Sequence, residues 1–119
     1  MPEHLDTSRA EEASRRRSHR LLLRVPLRVR GEVERGKPFD EEVITMVVNA
    51  HGGLILLAAQ VKMGQTLHIT HQQTNEEIVS TVVFLGSSQD GKQQVGFEFR
   101  TPSPKFWQIG FPPADWNPR

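Results

Sequence analysis

The sequence predicts an all-β fold, a six-stranded antiparallel barrel entered by a short arm and followed by an aromatic tail. Two observations carry the prediction. Between Leu22 and Phe99 the apolar residues fall in six short runs, most of them alternating with polar neighbours, which is the period of a half-buried strand. The 9 Gly and 8 Pro are too frequent for a helical bundle and suit strands joined by turns. Closing six such strands into a barrel removes the exposed edges an open sheet would leave.

The first 14 residues read as a flexible or short-helical arm. Ser8-Arg9-Ala10-Glu11 fits a capping box, and Glu11/Arg15 and Glu12/Arg16 stand at i,i+4, so a short helix is expected from about Arg9 to His19. With only Ala10 and Ala13 apolar it has no face to bury, and it should fray unless something holds it. From Leu22 the period becomes two. Leu23, Val25, Leu27 and Val29 share one face, and Leu22, Arg24, Pro26, Arg28 and Arg30 share the other, so the first strand has a basic outer side. Pro26 has no N–H to give and is expected at a sheet edge or a bulge.

A turn is expected at Glu34–Pro38, then a second strand over Glu42–Val48, a tight connection over Asn49–Gly53, and a third, deeply buried strand over Leu54–Ala58. Lys62–Gln65 turns the chain into a fourth strand, Thr66–Thr70, with its tip near Gln73–Asn75. The fifth runs from Glu77 to Leu85. Asp90-Gly91 favours a turn with positive φ before the sixth, Gln94–Phe99, where Val95, Phe97 and Phe99 share a face. The tail, Thr101–Arg119, holds five Pro and both Trp; Phe106, Trp107, Ile109 and Phe111 are expected to cap the barrel end rather than stack on a ligand. Two buried aromatics there contribute about 8–12 kcal/mol gross, before the ordering entropy of the tail is subtracted.

The composition excludes several functions. The longest apolar run, Leu54–Ala59, is six residues, far from the ~20 of a membrane span, and the N-terminus has no apolar signal core. No membrane insertion and a cytoplasmic location are therefore expected. The absence of Cys removes disulfides, thiolate chemistry and Cys-held zinc. No Gly-x-Ser-x-Gly elbow surrounds any Ser, and no glycine-rich phosphate loop opens a helix, so no enzyme activity and no catalytic residue are expected. His68 and His71 are three apart on a strand, where their rings diverge; two exposed strand-end histidines, not a metal site, are expected.

Charge is concentrated. The formal net charge is only +1, yet Arg15–Arg30 holds seven Arg and no acid. Arg presents a planar fork that grips phosphate or a guanine edge bidentately and stacks on flat rings. The cluster Arg15-Arg16-Arg17-Ser18-His19-Arg20 ends where the first strand begins, and Val48–Leu54 carries the glycine pair Gly52-Gly53 between two strands. Read alone, that pair turns a corner; read beside the Arg cluster, it suggests a pocket for an anionic, guanine-containing ligand.

Taken in this order, these features resemble the PilZ domain, a bacterial receptor module for cyclic di-GMP. The resemblance covers roughly Arg15–Arg100, and it divides the chain into an arm (1–14), a PilZ-like barrel (15–100) and a tail (101–119). The family pattern is Arg-x-x-x-Arg in the arm, then Asp/Asn-x-Ser-x-x-Gly between the second and third strands. Arg16–Arg20 matches the first, with Arg15 as the additional Arg often found before it; Gly53 aligns with the final Gly of the second. Gln94–Phe99 looks like the family's last strand, and Pro104–Trp116 resembles tails of a PilZ subgroup. The family's Asp/Asn falls here on Val48 and its Ser on Ala50, neither of which carries a polar side chain. Asn49 is one place later, and only a bulge or an early turn lets it substitute. A lost bidentate base contact weakens binding by about five- to 150-fold, and a lost hydrogen bond to phosphate removes about 1.5–3 kcal/mol more.

The resemblance implies a regulatory module without cofactor or catalysis. Arg15, Arg16 and Arg20 would hold the guanine edges and phosphates, and Asn49, Gly52 and Gly53 would line the loop side. The arm would fold across the barrel on binding and present a new surface to an unidentified protein partner. The alternative is a degenerate PilZ-like barrel that binds no nucleotide and acts as a protein-protein interaction module. A third reading, single-stranded nucleic acid on the basic face, is opposed by the absence of Phe and Trp from the Arg-rich strand.

Overall fold

The computed structural model of the chain describes residues 20–103 and 105–108. The expected arm helix and Arg15, Arg16, Ile109 and Phe111 lie outside the described residues. The described chain is all-β, with seven strands: β1 (Pro26–Val33), β2 (Lys37–Ile44), β3 (Val47–Asn49), β4 (Gly52–Leu57), β5 (Thr66–His71), β6 (Glu77–Gln89) and β7 (Lys92–Phe99). They form one antiparallel sheet in the order β2-β1-β5-β6-β7-β4-β3. No helix among the described residues is long and apolar enough to cross a membrane.

The two outermost strands, β2 and β3, are consecutive in the chain and separated only by Thr45 and Met46, so the sheet must curl until its ends approach. The curl is fixed by main-chain bonds. Met46 N–H donates to Leu54 O at 2.8 Å, while Leu21 and Val48 exchange both of their hydrogen bonds at 2.8 and 2.9 Å. The segment leading into β1 therefore lies against β3, at the far edge of the sheet. Thr45 is the pin at the bend. Its buried hydroxyl accepts from Val25 N–H at 2.8 Å and donates to Leu23 O. The Glu41 carboxylate on β2 accepts from Ala58 N–H at 2.7 Å and Ala59 N–H at 3.1 Å, tying β2 to the end of β4.

These bonds explain the departures from the expected six strands. The run Glu42–Val48 is bent at Thr45-Met46 and belongs to two strands, not one. Pro26 is the first residue of β1, an interior strand between β2 and β5, rather than an edge or bulge residue. A first residue needs no ladder N–H. The third expected strand buries one face only: Ile55 and Leu57 are in the core, while Leu54 and Leu56 are half-covered. The fifth, β6, is longer than predicted and carries two register shifts, at Val82/Phe84 and Leu85/Ser88.

Elsewhere the alternation holds. Val25, Leu27 and Val29 are buried and Arg24, Arg28 and Arg30 exposed, and Val95, Phe97 and Phe99 all enter the core. Asp90 and Gly91 take φ of 53° and 78°, the positive values a tight hairpin of this twist needs. Phe106 and Trp107 are buried against Phe99, with ring centroids 5.2 and 5.8 Å from it, so the start of the tail covers the core as expected.

Candidate functional site

The β3–β4 hairpin and the segment entering β1 meet on the outer side of the sheet. Asn49 and Gly52 are paired across a two-residue turn, Ala50-His51. Asn49 Oδ1 accepts from His51 N–H at 2.8 Å, the local bond that lets an Asn start a turn, and among the described residues its Nδ2 has no partner. The hairpin is anchored from behind by two bonds. Trp107 Nε1–H donates to Asn49 O at 2.8 Å, and Phe99 N–H donates to His51 O at 2.7 Å. The tail aromatics thus fix the loop as well as filling the core.

On this face lies a hollow of about 360 Å3 whose lining includes Arg20, Asn49, Gly53, Phe84, Gln94 and Gly96. The structure brings three of the six sequence-predicted residues, Arg20, Asn49 and Gly53, to one concavity. The Leu21–Val48 bridge does this, because it sets Arg20 immediately beside the end of β3. Arg20 is exposed, and no described residue pairs with it. Arg15 and Arg16 fall outside the described residues.

Gly52 has a different reason to be glycine. It is buried and opposite Glu98 on β7, and a Cβ built there would meet Phe97 O at 1.9 Å. Its lack of a side chain lets β7 approach, and it does not line the hollow. Gly53 does, and a Cβ there meets Val47 O at 3.1 Å and the rings of Phe97 and Trp107 at 3.3 and 3.4 Å. Val48 and Ala50 are both buried in the core, so a polar group at either would face apolar side chains in this register. Asn49, between them, takes the other side. Sequence reasoning missed Val83 and Phe84, two consecutive exposed apolar residues at the rim.

The two strand histidines diverge as expected, but they are not both exposed. His68 Nδ1 lies 3.2 Å from Glu77 Oε2 at the surface, whereas His71 is 1% exposed. His71 Nδ1 accepts from Gln73 N–H at 3.2 Å, and its ring stands edge-on to Phe106 at 5.6 Å. Burial lowers its pKa, opposed in part by Glu76. Among the described residues no cluster of His, Asp and Glu could hold a metal.

A larger depression, about 1070 Å3 and open, lies at the other end of the β1–β2 hairpin. Part of its charge is paired across the strands: Arg30 Nη2 lies 2.7 Å from Glu77 Oε1, and Glu77 also faces His68. Beside it the Arg28 guanidinium holds the Asp40 carboxyl below the usual carboxylate range across 2.7 and 2.8 Å bonds. The Arg35 and Lys62 side chains also line this depression without a partner among the described residues. The smaller hollow is the candidate site because it gathers three of the sequence-predicted residues, Arg20, Asn49 and Gly53.

No protein-family model matches the chain, and no curated protein matches it. Among solved structures, the chain is similar to the Bacillus subtilis inhibitor of motility, MotI/DgrA, with a TM-score of 0.59 and 15% identity over 79% of this chain and 48% of that one. The fold is PilZ-like. At this identity the likeness concerns architecture alone, and the chain spans about half the length of that structure.

Proposed function

We propose that this chain is a PilZ-type regulatory module that binds cyclic di-GMP on the outer face of the β3–β4 hairpin and passes the signal to a protein partner. The observation that carries the reading is the convergence of Arg20, Asn49 and Gly53 on one hollow, from segments some thirty residues apart in the sequence. Arg20 supplies a cation that no described residue pairs with and a flat guanidinium for phosphate or a guanine edge. Asn49 supplies an amide nitrogen that no described residue engages, at the point where the chain turns early, and Gly53 lines the hollow beside it. Arg15 and Arg16, carried on the arm that ends at Arg20, complete the cationic side. The resemblance to a motility inhibitor's fold agrees with a regulatory rather than a catalytic role.

One observation favours the alternative, an interaction barrel that binds no nucleotide: Val48 and Ala50, at the family's polar positions, are core residues. Calorimetric titration with cyclic di-GMP separates the two. The receptor reading expects micromolar binding by the intact chain, lost in Arg16→Ala and Arg20→Ala and weakened in Asn49→Ala. No heat up to about millimolar ligand overturns it in favour of the interaction module.

A further inference from the structure

A strand that buries Ile78, Ser80 and Val82 on one face should bury Phe84 next. It does not, because β6 carries an extra residue there. Val82 pairs with Phe97 and Phe84 with the next residue on β7, Gly96, leaving Val83 bulged between them. The bulge turns Phe84 outward as well as Val83, leaving them 49% and 45% exposed, and the half-buried Leu85 packs against the core again. Bulges that re-aim a side chain recur next to binding sites, and this one delivers an aromatic ring to the hollow that Arg20 lines.

The ring also lies close against the backbone of two strands. A Cβ at Gly96 would lie 2.9 Å from the Cβ of Phe84, and one at Gly86 would lie 2.8 Å from Phe84 Cε2 and 2.4 Å from Gln94 Oε1. Both neighbours are glycine, so the ring rests on bare backbone with the Gln94 side chain beside it. Among the described residues that side-chain amide makes no hydrogen bond. A half-exposed aromatic face, a flat cation and an amide, the last two without a partner among the described residues, on one concavity are the elements that bind a planar base with polar edges.

We propose that Phe84 is the stacking surface for a purine base of the bound dinucleotide, with the Gln94 amide at the base's edge. The inference rests on the reading of this hollow as the cyclic di-GMP site, and it assigns the contact that holds a base there. A purely structural role, covering the backbone at Gly86 and Gly96, predicts a change in stability and none in affinity.

The test is calorimetry of the intact chain and of Phe84→Ala and Phe84→Trp with cyclic di-GMP, with thermal unfolding of each. Phe84→Ala is expected to stay folded and to bind about five- to 150-fold more weakly, the range of one base–aromatic stack. Phe84→Trp is expected to bind as the parent does, and its emission is expected to shift with ligand relative to the unsubstituted chain. Binding by the parent that Phe84→Ala matches within twofold overturns this assignment and leaves the receptor reading standing. Absence of binding by the parent overturns the receptor reading, and the stacking role with it.

Discussion

Replacing Gly52 by Ala separates packing from ligand contact at the glycine pair. The added methyl carbon would sit 1.9 Å from Phe97 O, a backbone atom that no rotamer change can move aside. Ordinary van der Waals contact begins near 3.4 Å, so β4 and β7 must part by more than an ångström. Six residues of β4 pair with β7, and the bond from Phe99 N–H to His51 O adjoins the clash directly. Overpacking of this kind costs about 1–3 kcal/mol, and loosening one or two adjacent ladder bonds adds about 1 kcal/mol each. We therefore expect a loss of about 2–5 kcal/mol, which lowers the melting temperature by roughly 10–30 °C in a domain of this size. Thermal and urea unfolding followed by far-ultraviolet circular dichroism measure it. A Gly52→Ala chain that melts within a few degrees of the parent yet loses cyclic di-GMP binding would refute the packing account and return Gly52 to the ligand.

Two further outcomes follow from buried polar groups. Thr45→Val keeps the shape of the side chain but strands Val25 N–H and Leu23 O at the bend between β2 and β3; a loss of about 2–4 kcal/mol is expected by urea unfolding, and an unchanged midpoint would mean that the hydroxyl does not hold the bend. His71 is kept neutral by burial, with a folded pKa below its unfolded value near 6.5, so the unfolded chain binds the proton first. Its contribution is complete above about pH 7 and is lost as pH falls through 6.5 toward the lower folded pKa; the difference in stability between the parent and His71→Leu should shrink on acidification, and a difference that grows instead would sink the assignment.

The sequence by itself determined the all-β class and most of the faces and turns. Alternation at Val25, Leu27 and Val29 and at Val95, Phe97 and Phe99 follows from the two-residue period of a strand, which is a local property. Asp90-Gly91 marked its hairpin because positive φ is a property of single residues. The arginine cluster and the glycine pair were equally visible, and Arg20, Asn49 and Gly53 were legible as candidates before any coordinates.

Tertiary structure decided what depends on distant partners. Nothing near Thr45 in the sequence announces that its hydroxyl will meet Leu23 and Val25, and that contact divides one predicted strand into β2 and β3. His71 continues the buried face of Leu67 and Ile69 on β5 while His68 takes the other, but that this face is closed over His71 by Phe106 from the tail is a tertiary fact. Only the approach of Phe97 O distinguishes Gly52 from Gly53. Phe84 escaped notice for the same reason: a bulge is a mismatch between two strands, and one strand read alone carries no register. Local sequence fixes what each residue can do, whereas the pairing of strands far apart in the chain fixes which of them face the same hollow.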